Sequence, residues 1–247
     1  MHAHPLPGMD VVVDGVRLHV VDYGDGAGLP IVLLSGPFTP RCFWDDVARN
    51  LAHVHRVVVP DLVGLGESEA PTRSGPYAMG AQAHHVLGVL GEIGIERFAV
   101  VGHDIGGVVA VHLAALVPDR VQGLALISTP LHSALWPTRA AHRAAHRVAD
   151  GIRRGARTNA DRTRGRRRFI RAIDVPAAER LLDVVAGVPA LVLWGEQDDV
   201  LPTAYGKRVA EALDAAWVPL ADTGHLAPLD RPERVAEELH AFVGVAP

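Results

Sequence analysis

Two residue types are almost missing from this 247-residue chain: Cys42 is the single cysteine and Lys207 the single lysine. One thiol excludes an intramolecular disulfide, leaves any metal site to other ligands, and fits a reducing compartment. The lysine shortage reads as a coding bias towards arginine. No run approaches the roughly 18 consecutive apolar residues that a membrane-spanning helix needs. The opening Met1-His2-Ala3-His4-Pro5-Leu6-Pro7 lacks the basic start and apolar stretch of a signal peptide. A soluble cytoplasmic protein is therefore expected, with no membrane partner. Excess charge is lacking too: the net value is −4, which points to no nucleic-acid surface.

The charge is unevenly spread. Residues 131–187 hold thirteen arginines against five acidic residues, a surplus of +8, so the rest of the chain carries −12. An arginine run of this kind is most often a solvated helix face or a mobile loop. With 49% apolar and 21% charged residues, the chain is long enough for one main globular domain with at most a small appendage.

Eight short apolar, β-rich runs recur, at residues 11–13, 17–21, 31–34, 57–59, 98–101, 124–127, 190–194 and 216–220. Most are continuous rather than alternating, as strands buried on both faces are, and helical patterns lie between several of them, at 79–93, 107–117, 205–212 and 232–242. The expected fold class is α/β, with a mostly parallel, doubly wound sheet of about eight strands. Asp14-Gly15 between the first two runs predicts a hairpin, so the sheet begins with an antiparallel pair. Residues 131–185 carry no convincing strand and read as a small helical cap, inserted between core segments 1–130 and 186–247 and lying over the carboxyl ends of the strands.

Chemistry-bearing residues sit at strand ends. Gly102-His103-Asp104-Ile105-Gly106 lies between an apolar strand and a helix, the setting of a nucleophile elbow: small residues allow a sharp turn that exposes one side chain, here Asp104, and aims the next backbone N–H at a developing oxyanion. Downstream, Gly195-Glu196-Gln197-Asp198 places a carboxylate after a buried strand, and Thr223-Gly224-His225 places a histidine after the next. With Pro60-Asp61-Leu62-Val63-Gly64-Leu65-Gly66-Glu67-Ser68, this order of nucleophile, acid and base resembles the α/β-hydrolase superfamily over nearly the whole chain outside the cap, and specifically its aspartate-nucleophile branch, the epoxide hydrolases and haloalkane dehalogenases. Asp199 is the fallback for the acid. The competing structural reading makes Asp104 a helix cap on an inactive scaffold.

The resemblance implies that Asp104 attacks a polarised saturated carbon to form an alkyl ester, which water activated by His225, oriented by Asp198, then hydrolyses. It also exposes departures. Haloalkane dehalogenases place Trp, and fluoroacetate dehalogenases Arg, after the nucleophile, where this chain has Ile105. Familiar epoxide hydrolases supply paired cap tyrosines, whereas Tyr23, Tyr77 and Tyr205 lie outside residues 131–185. The family's oxyanion loop, commonly His-Gly-X-Pro, is here Ser35-Gly36-Pro37-Phe38. Proline has no N–H, so the expected oxyanion donors are the Ile105 amide and Phe38, the latter shifted to compensate for Pro37. Expected substrate contacts are Trp136, His132, Phe38 and His103. His142 and His146 share a helix face without a third ligand, so no metal is expected, nor any cofactor. Trp44 reads as core packing under the oxyanion loop.

An epoxide-opening hydrolase acting on a small or polycyclic apolar molecule of secondary metabolism is the first expectation. A catalyst that uses Asp104 as general base for ring opening or cyclisation without ester hydrolysis is the second, followed by a dehalogenase and a noncatalytic binding module. The expected partner is a small-molecule substrate, and the chain is compatible with a homodimer.

Overall fold

The computed structural model describes residues 8–131 and 160–245. Strands β1 (Met9–Val13) and β2 (Val16–Leu34) form an antiparallel hairpin closed by Asp14 and Gly15, whose φ angles are 50° and 73°. Positive φ at both turn residues gives the backbone twist that matches flanking strands, which is why Asp-Gly works there.

β2 spans two of the runs read from the sequence as separate strands. Its first arm pairs antiparallel with β3 (His55–Pro60), from Val20 opposite Pro60 to Tyr23 opposite Val57. After a bulged stretch containing Gly24, Gly26 and Gly28 the register advances in step, with Ile31 opposite Val57 and Val32 opposite Val58. One long strand thus folds around β3, and seven strands carry the eight apolar runs. The second arm pairs in parallel with β4 (Phe98–His103), and β5 (Val121–Ile127), β6 (Ala190–Gly195) and β7 (Ala216–Leu220) extend the sheet in parallel.

The continuous apolar runs are explained by burial on both faces. Val32, Leu34, Val58, Val100, Leu124, Leu126, Val192 and Trp194 enter one core cluster, while the intervening Ile31, Leu33, Val57, Val59, Val101, Ala125, Ile127 and Leu193 enter the other. Successive side chains point to opposite faces of a strand, so no position can be polar when helices cover both. Helices α1 (Asp45–Leu51) and α8 (Pro232–Val245) cover one face; α2 (Met79–Glu92), α3 (Ile105–Leu116) and α7 (Thr203–Leu213) cover the other.

Between β5 and β6, the described residues form α4 (Ala160–Arg171), α5 (Val175–Glu179) and α6 (Leu182–Val185), without a strand. Phe169, Val175, Ala178, Leu182 and Val185 are buried in the same cluster as α3, so the apolar core continues into the segment that the sequence assigns to the insertion. α4 meets the loop after β3 at a glycine contact: a Cβ on Gly165 would lie 2.6 Å from the Gly64 carbonyl oxygen and 2.8 Å from Ala70 Cβ. An Arg162–Glu67 ion pair lies beside it, and Arg164, Arg167 and Arg171 are exposed. Among the described residues, no helix is long and apolar enough to cross a membrane.

Candidate active site

β4 ends in a turn so sharp that Asp104 takes φ 51° and ψ −125° before α3 begins. That backbone state costs a non-glycine residue about 1–3 kcal/mol and persists only where its surroundings over-determine it. Here they do. The Asp104 N–H donates to the Ile127 carbonyl at 3.1 Å, and its own carbonyl accepts from the Gly107 N–H at 3.0 Å. A Cβ on Gly106 would collide with the Leu34 carbonyl, and one on Gly102 with Gly107, so neither position tolerates a side chain. The Asp104 side chain is left half-buried, and the Ile105 amide opens the first turn of α3, where it has no partner within the helix.

The loop after β2 closes over this turn. A Cβ on Gly36 would lie 2.9 Å from Asp104 Oδ2 and 3.2 Å from the Ile105 nitrogen, so the Gly36 backbone sits against both. Pro37 is buried, and the Thr39 N–H turns back to the Gly36 carbonyl at 3.4 Å. Phe38 is half-buried and packs against the core cluster.

From the end of β6, Asp198 Oδ1 accepts the Val200 and Leu201 N–H groups at 2.9 and 2.8 Å. This clamp turns Oδ2 towards His225 Nδ1, 2.9 Å away. A carboxylate only accepts, so Nδ1 carries the proton and Nε2 of neutral His225 is the free base. The two loops are tied together: Gln197 N–H donates to the Thr223 carbonyl at 2.9 Å, and Gly195 packs on Gly224 without space for a Cβ. Asp230 Oδ2 accepts the Gly224 N–H at 2.9 Å. Asp199 is exposed.

Burial pushes the His225 pKa down, but the Asp198 hydrogen bond and charge, with the charges of Asp104 and Asp199, outweigh it, so the net shift is upward. Asp198 is the mirror case: burial raises its pKa, and the His225 bond and charge bring it below the ordinary carboxylate value. The two shifts describe one ion pair that favours Asp198 charged and His225 ready to accept a proton.

His103, expected to touch substrate, has no exposed surface. Its ring lies 4.6 Å from Phe43 and 5.0 Å from His225, and its Nε2 donates to the His225 backbone carbonyl at 2.8 Å. Trp44 is fully buried, edge-on to Phe43 at 5.2 Å. Trp136, His132, His142 and His146 lie outside the described residues. Asp104 with Ile105, Gly36, Asp198 and His225 thus come from the ends of four strands, β4, β2, β6 and β7. Sequence reasoning missed the Val200 and Leu201 amides and the Asp230 tether. An Asp followed by two free amides is a recognisable Asx turn and could have found the first; Asp230 carries no such signal.

A model of the alpha/beta hydrolase fold matches residues 30–160 of the chain. The protein belongs to the α/β-hydrolase family. Among related α/β-hydrolases, a 2-hydroxymuconate semialdehyde hydrolase of Pseudomonas sp. (strain CF600) is 35% identical over 128 residues, covering 51% of this chain and 44% of that one. A bifunctional epoxide hydrolase 2 of Sus scrofa is 34% identical over 125 residues, 50% of this chain and 22% of its own. The chain spans less than half the length of these two relatives. Among solved structures, an enol-lactonase from Burkholderia xenovorans LB400 superposes with a TM-score of 0.72 at 28% identity, covering 96% of this chain and 100% of that one. The BphD hydrolase of a Rhodococcus strain superposes at 0.78, covering 98% and 99%; its 21% identity speaks for the fold alone.

Proposed function

We propose that this α/β-hydrolase uses Asp104 to open an epoxide, or a similar electrophilic sp³ carbon, in a small or polycyclic apolar substrate. One observation carries the reading: the side chain on the strained elbow is a carboxylate, beside a buried His225–Asp198 pair. A serine there would need His225 to remove its proton before attack; a carboxylate is ionised at neutral pH and attacks directly. Attack on an ordinary ester would create a high-energy anhydride, whereas attack on a saturated carbon creates an ester that water can hydrolyse. His225 then serves the second step, taking a proton from the water that attacks the Asp104 carbonyl while the Ile105 amide meets the oxyanion.

The charges support that division of labour. Asp104 is one of the groups that raise the His225 pKa. Alkylation removes that charge, so His225 holds a proton less tightly when it must act as base. Residues 131–185 are assigned as the cap, with His132, His142 or His146 to protonate the oxygen released when the C–O bond breaks and Trp136 only to hydrogen-bond it; the assigned location is the cytoplasm, and a homodimer remains compatible. The epoxide hydrolases among the relatives add weight to this reading, while the 2-hydroxymuconate semialdehyde hydrolase beside them means that family membership alone does not select it.

A second reading makes Asp104 a general base for ring opening or cyclisation without a covalent ester. Pro37 favours it, since the oxyanion loop then has a position without an N–H, and proton abstraction makes less use of an oxyanion hole. A single turnover with epoxides in ¹⁸O-labelled water separates the two. Label appearing first in the Asp104 carboxylate, with diol as product, supports the ester route. Turnover with an unlabelled Asp104 refutes it and selects the base.

A further inference from the structure

His103 is a polar residue in a place where an apolar one would pack at lower cost. The side chain is fully buried, and its Nδ1 has no hydrogen-bond partner. Leaving one such atom unsatisfied costs about 1–3 kcal/mol. The other nitrogen accounts for the residue. Nε2 faces the backbone carbonyl of His225 at 2.8 Å, and a carbonyl only accepts, so Nε2 carries the proton and Nδ1 is a bare lone pair.

The ring also closes a column. Trp44 stands edge-on to Phe43, Phe43 lies tilted against His103 at 39°, and His103 lies tilted against His225 at 55°. Position 103 is the last residue of β4, immediately before Asp104. Strand alternation sends the two neighbouring side chains in different directions, one into the column beneath His225 and one into the site. The strand that holds the nucleophile therefore also holds the loop that holds the base.

We propose that His103 is a positioning residue for His225: its Nε2–H and its ring face fix the His225 backbone so that Nδ1 stays on Asp198 Oδ2 while Nε2 faces Asp104. The proposal rests on the reading of His225 as base. Charge plays no part, because burial first, and then the neighbouring His225, hold the His103 pKa down at about 3. It stays neutral at working pH and does not oppose the cationic form of His225. The groups that act on His225 are Asp198, Asp104 and Asp199, all of which raise its pKa, and neutral His103.

The test reads the histidine rings by ¹⁵N NMR on the full chain, with His103→Phe and His103→Gln. Phe keeps the ring and removes the donor; the Gln amide keeps a donor at about the Nε2 position. In His103→Phe the carbonyl is released, the Asp198 bond loosens, and the His225 titration falls by about one pH unit, a tenfold change in proton affinity. The Nδ1–H resonance weakens with it, and kcat falls by about tenfold or more while KM hardly moves. His103→Gln restores the titration and the resonance. An unchanged His225 titration in His103→Phe overturns the proposal, as does an equal shift in both variants, which would reduce His103 to packing. Should His103→Phe not fold, a folded His103→Gln with a lowered titration overturns it alone. The NMR readout needs no substrate, so a failure of the nucleophile reading, seen as turnover in Asp104→Asn, is distinguishable from a failure here.

Discussion

In the proposed scheme, Asp198→Asn separates formation of the Asp104 ester from its hydrolysis. The wild-type carboxylate has no exposed side-chain surface; its Oδ1 accepts the Val200 and Leu201 amides and its Oδ2 faces His225. Asparagine keeps the amide clamp through its own oxygen, so the loop stays folded. The lost charge-assisted bond costs about 1.5–3 kcal/mol, partly recovered by the new amide bond. What changes is the tautomer. The amide N–H₂ now faces His225 Nδ1, which must accept, and the imidazole proton moves to Nε2, where it blocks the base. The equivalent change in a serine-protease triad lowers kcat by about 10⁴, or about 5 kcal/mol of barrier. In the proposed scheme that loss falls on ester hydrolysis alone, because a carboxylate nucleophile needs no base to attack. Rapid-quench intact-protein mass spectrometry should show alkylation within a few-fold of wild type and the Asp104 ester accumulating to about one per chain. Alkylation and hydrolysis slowing together, or slow turnover with no adduct, would refute the scheme.

The same pair sets a pH dependence. Asp198, whose pKa is lowered in the folded state, contributes stability that is present above the ordinary carboxylate range and lost as pH falls through its folded value. His225, whose pKa is raised, contributes stability that is complete below the ordinary imidazole value and lost as pH rises through its folded value. The stability difference between wild type and Asp198→Asn should therefore peak between those two ranges in a denaturant titration series. The proposed ester hydrolysis needs neutral His225, so activity should rise on the alkaline side of that window.

Asp104→Gly should abolish turnover and raise stability by about 1 kcal/mol or more, since glycine adopts φ 51° and ψ −125° without strain; a thermal melt below wild type contradicts the strain argument. Pro37→Ala restores an N–H beside the elbow and should shorten the lifetime of the Asp104 ester by about tenfold or more, read by single-turnover decay. An unchanged lifetime removes that loop position from the oxyanion hole. Gly165→Val places a side chain against the Gly64 carbonyl and Ala70 Cβ, and should cost about 1–3 kcal/mol in urea denaturation; a neutral result would mean that α4 is not held at this contact.

The apolar runs and their helical intervals were legible because a strand covered on both faces admits no polar position, and the elbow was legible because only glycines fit where Gly102 and Gly106 meet neighbouring backbone. The hairpin followed from the need for positive φ at Asp14 and Gly15. Each of these is a local steric or burial constraint, and such constraints are written residue by residue. By itself the sequence determined the apolar runs and the order of Asp104, Asp198 and His225 along the chain. Only the tertiary structure decided that two runs join in one strand around β3, because a ladder can continue through a glycine-rich bulge without an apolar signal. It alone placed residues 175–185 against α3, since an amphipathic helix does not say which surface covers its apolar face. It alone turned His103 away from the site and under His225. A side chain one residue from Asp104 can face either way, and the choice rests on a carbonyl 122 positions further along the chain.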